Sequence, residues 1–211
     1  MKAKKKTKKK PAPRTQEQRR RSTQDRILAA TLDILADEGH THFTTTRVAA
    51  KAGVSRGAQE NYFRTKSDLI EAATKHAMKQ ATEQAAASAH AKKFEDDPVG
   101  GFLASASEFF LSRIYTAMEE LALAGRDDPA LSRIHRDAFL KFRREHDKIW
   151  IEALSAAGYS GDKAKSLVDL TIYFLRGMAL TALILPAQRR EAEMLRQWEA
   201  AARLLIGPSK K

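Results

Sequence analysis

The chain of 211 residues contains no cysteine. This absence excludes disulfide bonds, zinc–thiolate sites and cysteine nucleophiles, and nothing else in the sequence points to an oxidising compartment. The lysine-rich N-terminus lacks the apolar core of a secretory signal, and the one long apolar run, residues 167–185, is interrupted by Asp169 and Arg176. We therefore expect a cytoplasmic protein that is not secreted and does not span a membrane.

Motifs for catalysis and metal binding are also missing. The sequence has no Glu-x-x-His pair, no Gly-x-Ser-x-Gly nucleophile elbow and no glycine-rich phosphate loop. His40 and His42 lie two residues apart in a predicted loop, whereas His135 and His146 lie about three helical turns apart. We expect no enzymatic activity, no metal site and no cofactor.

Positive charge is concentrated at one end of the chain. The net charge is +12, and residues 1–70 carry 17 Lys and Arg against 7 Asp and Glu, whereas residues 71–211 carry 21 against 19. This asymmetry is typical of a polyanion-binding end joined to an electrically ordinary remainder, and DNA phosphates are the obvious polyanion. The alternative for the lysine block is a solubilising tail or a cloning artefact.

The pattern of apolar residues predicts an all-α fold with about nine helices. A hydrophobic content of 43% is ample for a core, and no useful strand-like alternation, 20-to-50-residue repeat or extended heptad seam is present. Residues 1–21 have almost no apolar side chain, so we expect a disordered basic arm. The first helix is predicted to begin at Ser22, which forms a capping-box spacing with Asp25, and to end at Gly39.

Further breaks in the pattern divide the rest of the chain. We expect an N-terminal domain, the head, over residues 22–66 and a larger helical domain, the body, over residues 67–211. The helices predicted for the body cover residues 67–91, 98–124, 129–157, 162–185 and 187–206.

Residues 43–66, FTTTRVAAKAGVSRGAQENYFRTK, have the pattern of a helix-turn-helix. Thr44 precedes a helical run, Gly53 can adopt a positive φ at its end, and Ser55 caps a second helix. Small apolar side chains allow two helices to cross closely: Val48, Ala49, Ala52, Val54 and Phe63. The remaining polar side chains would form an outer face that can enter a major groove.

The chain from about residue 22 resembles the TetR family of transcriptional regulators. The segments ILAATLDILADEG, TTTRVAAKAGVSRGA and NYFRTKSDL carry this resemblance, because they occur in the family's order and spacing. In the body only the helical architecture resembles the family.

The resemblance implies a set of DNA-binding residues. Thr44, Thr45 and Lys66 would contact phosphates. The recognition surface would include Arg47, Ser55, Arg56, Ala58, Asn61 and Tyr62. The donor and acceptor patterns of the side chains favour guanine for Arg47 and Arg56, and adenine for Asn61, although each could also be a solvated surface group.

Two positions of the second helix depart from the family pattern. Gln59 lies where leucine is frequent, and Glu60 lies where an aromatic residue is common. A glutamate near phosphates is repelled unless it accepts a bond from cytosine N4, so Glu60 is either a specificity residue or a weak point.

The body has two predicted surfaces. By the resemblance, its helices would enclose a cavity for an apolar or aromatic effector, with six candidate wall residues: Phe110, Ile114, Phe142, His146, Trp150 and Phe174. The two C-terminal helices are apolar around much of their circumference, which indicates a dimer surface. Its candidate residues are Leu175, Leu183, Leu195, Trp198 and Leu205.

The sequence thus predicts a homodimeric regulator that binds double-stranded DNA at a palindromic operator and responds to a small effector, most simply as a repressor. The alternative is a non-regulatory helical binding protein whose basic arm targets nucleic acid or an anionic membrane surface.

Overall fold

The computed structural model describes residues 15–185 and 190–209. This part of the chain forms ten α-helices and one 3-10 turn, His40–His42, with no strand. The helices are α1 (Gln16–Glu38), α2 (Thr45–Ala52), α3 (Arg56–Tyr62), α4 (Lys66–Ala89), α5 (Lys92–Asp96), α6 (Pro98–Phe110), α7 (Arg113–Ala124), α8 (Pro129–Ala156), α9 (Gly161–Ile184) and α10 (Arg190–Ile206). The all-α prediction is confirmed.

The first helix begins earlier than predicted. Thr15, not Ser22, is its N-cap: the hydroxyl of Thr15 accepts from the amide of Gln18 at 3.2 Å, and the Gln18 side chain accepts from the amide of Thr15 at 3.0 Å. Once this turn has formed, each further residue adds a hydrogen bond at little cost, so the polar residues that follow remain helical. The prediction of disorder up to residue 21 is therefore wrong for residues 15–21, and residues 1–14 lie outside the described part.

The segment predicted as one helix over residues 98–124 is two helices. Ser112 interrupts it, because its hydroxyl accepts from the amide of Tyr115 at 3.2 Å and starts α7. Leu111 and Ser112 turn the chain between α6 and α7. The short helix α5 was not predicted, and the start predicted for the last helix, residue 187, lies outside the described residues.

The head, helices α1 to α3, packs directly on the body. Helix α1 contacts α2 and α4 and also α7, and Arg113 of α7 forms an ion pair with Asp37 of α1. Buried apolar side chains form one cluster through both parts, from Ile27 and Val48 in the head to Phe102 and Trp150 in the body. The predicted division of the chain at residue 66, where α4 begins, stays a prediction.

Helix α9 is the one described helix that is long and apolar enough, by length and composition, to cross a membrane, with a mean hydropathy of 1.6. Helices that pack inside globular proteins pass the same test. Here α9 packs on α6, α8 and α10. In its N-terminal half, Leu167, Val168 and Ile172 are buried.

Helices α5 and α6 approach each other closely at Gly101. A Cβ atom at this position would lie 2.7 Å from the Cα atom of Phe94. Cβ atoms in proteins essentially never lie this close to another heavy atom. We expect Gly101→Ala to lower the free energy of unfolding by about 1–3 kcal/mol, because the two helices must separate. Urea unfolding at fixed protein concentration measures this change. Gly161→Ala is the control, since no atom lies within 4 Å of its added Cβ; equal stability of the two variants would contradict the close approach.

Candidate nucleic-acid interface

The helix-turn-helix prediction is confirmed, because both predicted N-caps and the predicted glycine turn are present. The hydroxyl of Thr44 accepts from the amide of Arg47 at 3.3 Å and starts α2. Gly53 ends the helix with φ 64° and ψ 40°, the left-handed conformation that favours glycine. Ser55 then caps α3 by accepting from the amide of Ala58 at 3.2 Å. These contacts set the angle between α2 and α3.

The contact between the two helices uses the small apolar residues that the sequence indicated. Val48, Ala49, Ala52 and Phe63 are buried, and Val54 is half-buried against the same core. The predicted DNA-binding residues surround this core on the surface, and Tyr62 packs partly against it. Six are exposed, namely Thr44, Arg47, Ser55, Arg56, Asn61 and Lys66, and three are half-buried, namely Thr45, Ala58 and Tyr62. Eight of the nine lie on α2, α3 and their flanking turns, and Lys66 is the first residue of α4. Their contact with DNA stays a prediction.

Two arginines of this face are paired with carboxylates. Arg56 donates from Nε to Oε1 of Glu60, one turn further along α3, at 2.7 Å. Arg47 forms an ion pair through Nη2 with Glu38 at the end of α1. The charge of each of these two arginines is therefore balanced by a neighbouring carboxylate.

Lys66 lies at the junction of head and body. Its ammonium group is 5.4 Å from the centroid of the Phe43 ring, a cation–π arrangement. Burial lowers the pKa of Lys66, and the nearby carboxylate of Asp128 partly opposes this shift. Lys66, Asp128 and His40 are among the residues that line a cavity of about 80 Å³. Burial also lowers the pKa of His40, and the charge of Lys66 lowers it further.

Gln59 has a role that sequence reasoning missed. Its side chain is fully buried, and Nε2 donates to the carbonyl oxygen of Phe63 at 2.9 Å, so it fastens the end of α3. Within the described part of the chain, Oε1 of Gln59 has no hydrogen-bond partner. A leucine would fill the same space without this bond, so the departure from the family pattern at residue 59 is structural.

The predicted effector-pocket residues do not surround one cavity. Phe110, Phe142, His146 and Trp150 are buried and pack on one another, with ring centroids 5.1 Å apart for Phe142 and His146 and 6.0 Å apart for Phe110 and His146. Burial lowers the pKa of His146, although a bond with Asp147 opposes the shift. These side chains fill the core themselves.

The other two predicted pocket residues lie elsewhere. Phe174 stacks on Trp198 of α10 with centroids 5.1 Å apart, and Ile114 lines a groove between α4, α6 and α7 of about 630 Å³. A second groove of about 690 Å³ runs between α4 and α8, with Met78, Ile134 and Phe142 among its walls. The two grooves flank α4, and a role of any predicted pocket residue in ligand binding stays a prediction.

A buried polar cluster in the body was also missed. Glu119 of α7 accepts from Tyr115 and, at 3.2 Å, from Nε of Arg176 on α9. The guanidinium group of Arg176 also lies 4.9 Å from the centroid of the Phe139 ring. Burial raises the pKa of the Tyr115 hydroxyl, and the adjacent Glu119 carboxylate raises it further. Arg176 looks like an interruption of an apolar run in the sequence, but it pairs with a carboxylate that lies 57 residues earlier.

One predicted dimer residue is wrong. Leu175 is fully buried in the core of its own chain, because it lies on the side of α9 that faces the body, so a second copy cannot contact it. Leu183 and Leu205 are exposed, and Leu195 and Trp198 are half-buried, where the indole nitrogen of Trp198 donates to Thr171 at 3.1 Å. For these four residues the interface stays a prediction.

Residues 15–185 and 190–209 contain no group of three or more His, Asp or Glu side chains that could hold a metal ion.

Comparison with known proteins identifies the family to which these helices are similar. Residues 27–73, which include α2 and α3, match the family model for bacterial regulatory proteins, tetR family. The HTH-type transcriptional regulator CymR of Pseudomonas putida is 34% identical over 173 residues, which cover 82% of this chain and 85% of CymR.

Solved structures share the fold at lower identity. SCO4454, a TetR-family transcriptional regulator from Streptomyces coelicolor, superposes with a TM-score of 0.66 at 22% identity, over 88% of this chain and 95% of that one. The multidrug binding protein EbrR, solved in complex with ethidium, superposes with a TM-score of 0.57 at 21% identity, over 88% and 99% of the two chains.

The position of Lys66 predicts how its removal affects DNA binding. We expect Lys66→Ala to weaken binding to all DNA sequences alike and to reduce the slope of log K against log salt by about one, because a phosphate contact carries no sequence information. Fluorescence anisotropy over a salt series measures both quantities. Lys148→Ala, at an exposed site on α8, is the control. A loss confined to one base position would contradict the phosphate assignment.

Proposed function

Because the chain belongs to the TetR family of transcriptional regulators, we propose that it acts as a homodimeric, ligand-responsive repressor on a palindromic operator. Regulators of this family bind DNA and are not enzymes, and this protein is a DNA-binding regulator. We place it in the cytoplasm, where a bacterial regulator meets its DNA.

The observation that carries the dimer is the apolar outer surface of α9 and α10. Large apolar side chains are exposed there: Leu170, Tyr173, Leu180, Leu183, Ile184, Leu185, Met194, Leu204 and Leu205. Soluble proteins seldom leave so many large apolar side chains of two neighbouring helices in water unless another surface covers them. A second copy would cover this surface by two-fold packing, in which α9 and α10 of each protomer face their equivalents.

A two-fold dimer would present two heads to the same face of DNA. Each α3 would enter a major groove, so the two recognition helices would lie about 34–36 Å apart, one turn of the duplex. The operator would then repeat one half-site in inverted orientation. The exposed residues Arg56 and Asn61 would contact base edges, and the hydroxyls of Thr44 and Thr45 would contact phosphates.

Effector response is proposed through α4. This helix begins next to α3 and lies between the grooves of about 690 and 630 Å³, so a ligand that wedges into either groove would shift it. The fold neighbour EbrR holds ethidium, a planar aromatic molecule, which supports an apolar or aromatic effector. A preference of about 1–3 kcal/mol for the conformation that does not bind DNA is sufficient for regulation.

The early start of α1 adds a basic surface to the head. Arg19, Arg20 and Arg21 are all exposed in its first two turns. They would add phosphate affinity that does not depend on sequence, in line with the predicted role of the basic N-terminus.

Selection of bound DNA from a random pool tests this function. We expect an inverted repeat whose half-site centres lie about ten base pairs apart, protected as one footprint by two protomers. The non-regulatory alternative predicts enrichment without a consensus, and binding that depends only on salt and DNA length. That outcome would contradict the proposal.

Variants of the apolar surface separate dimer formation from DNA contact. We expect Leu183→Glu with Leu205→Glu to give a monomer in sedimentation equilibrium, and to weaken operator binding about a hundredfold or more, because the two heads no longer bind together. Leu140→Glu is the matched control, since Leu140 is 49% exposed but lies on α8 and not on the two helices of the proposed surface. A double variant that remains dimeric would place the interface elsewhere.

A further inference from the structure

The two arginines expected to contact guanine differ in which nitrogen atoms their carboxylate partners occupy. Arg47 uses a terminal nitrogen, Nη2, in its ion pair with Glu38, which ties α2 to α1. Arg56 instead uses Nε in its hydrogen bond to Glu60. The carboxylate of Glu60 therefore leaves the terminal nitrogens of Arg56 for another acceptor.

This difference matters because guanine accepts two hydrogen bonds in the major groove, at O6 and N7. An arginine binds both atoms with a pair of adjacent nitrogens, and the pair Nη1 and Nη2 remains when Nε is occupied. The Arg56 side chain is 70% exposed and that of Glu60 is 47% exposed, so both lie on the outer face of α3. Arg56 can thus contact a base edge while Glu60 still holds it.

The helix itself fixes this arrangement. Residues four apart lie on the same side of a helix, so Glu60 is one turn from Arg56. The adjacent Gln59 is fully buried and bonded to Phe63, which sets the rotation of α3 about its axis. With Gln59 facing the core, Arg56 and Glu60 remain on the exposed side together.

We propose that Glu60 is a positioning residue for Arg56, and that the pair determines specificity for one guanine in each half-site. The inference rests on the proposed binding of a defined operator. Glu60 orders the long Arg56 side chain before DNA arrives, so the guanine contact costs less conformational entropy. Glu60 also places a negative charge near the phosphates, which weakens binding to every sequence. Only DNA that gives Arg56 its guanine recovers this loss, so the pair sacrifices affinity and increases discrimination.

The experiment uses the full-length protein and the operator obtained by selection. Dissociation constants are measured by fluorescence anisotropy for the operator, for each single-base-pair substitution in the half-site and for a random duplex. The variants are Arg56→Ala, Glu60→Ala, Glu60→Gln and the double alanine variant. Glu152→Ala is the matched control, because it removes a glutamate from another exposed pair at the same spacing, with Lys148 on α8.

We expect Arg56→Ala to lose about tenfold or more of the discrimination at one guanine position. Glu60→Ala should lose about threefold or more at the same position, while it binds the random duplex more tightly than the wild type. Glu60→Gln can still accept from Nε, so it should keep more of the discrimination than alanine and yet bind the random duplex more tightly. In the Arg56→Ala background, removal of Glu60 should no longer change the discrimination.

Three outcomes would overturn the inference. Glu60→Ala could change affinity for all sequences by one factor, it could act at a position that Arg56 does not affect, or it could act equally with and without Arg56. Circular dichroism and sedimentation identify any variant that has lost its fold or dimer. If Glu60→Ala is such a variant, the comparison of Glu60→Gln with the wild type replaces it. If the wild type selects no consensus, the proposed operator function fails and this inference fails with it. A consensus that does not depend on Glu60 overturns the inference alone.

Discussion

The packing of α4 is the constraint on which the rest of the structure depends. Its buried alanines recur at every fourth residue: Ala73, Ala77, Ala81, Ala85 and Ala89. Such a ridge of small side chains lets neighbouring helices approach closely, and α1, α6 and α8 all pack on α4. Thr65 and Asp68 form the capping box that starts α4 directly after α3, so the position of α4 in the body also sets the position of the head. The contact of α1 with α7 provides a second connection.

Much of the head could be predicted from the sequence because its signals are local. Thr44, Gly53 and Ser55 act on backbone groups within a few residues, and their types and spacing are sufficient to identify two short helices and the turn between them. The small apolar residues followed the same logic, since two helices that cross closely require them. The start of α1 was missed because Ser22 with Asp25 and Thr15 with Gln18 offer the same spacing, and only the earlier pair forms the cap.

The body was harder to predict because its arrangement depends on distant residues. The pairing of Arg176 with Glu119 joins α9 to α7, and no local pattern indicates it. The aromatic residues were correctly expected in the body, but a sequence does not reveal whether rings line a space or fill it. Phe110, His146 and Trp150 fill it, whereas Phe142 packs on the first two and also lines the groove between α4 and α8. Leu175 shows the same limit: on a helix apolar on most sides, the sequence does not reveal which side faces the core.

Charge and apolar surface have separate roles in this account. On the head, Glu38 and Glu60 pair with Arg47 and Arg56, and we propose that these pairs order the face before it contacts DNA. On α9 and α10, apolar side chains are exposed, and the proposed second copy that covers them would set the distance between two heads. The arginine face of the head would determine which half-site sequence binds. The apolar surface of α9 and α10 would determine the spacing between the two half-sites.

The distance between the two heads tests this account most directly. Because the chain has no cysteine, Thr41→Cys would carry a single spin label per protomer, at an exposed position beside α2. Double electron–electron resonance would then report the separation of the heads with and without DNA. The account predicts a dipolar interaction within each dimer, whose distance distribution narrows on the selected operator as the recognition helices settle about 34–36 Å apart. No dipolar interaction, or the same distribution on operator and random DNA, would contradict it.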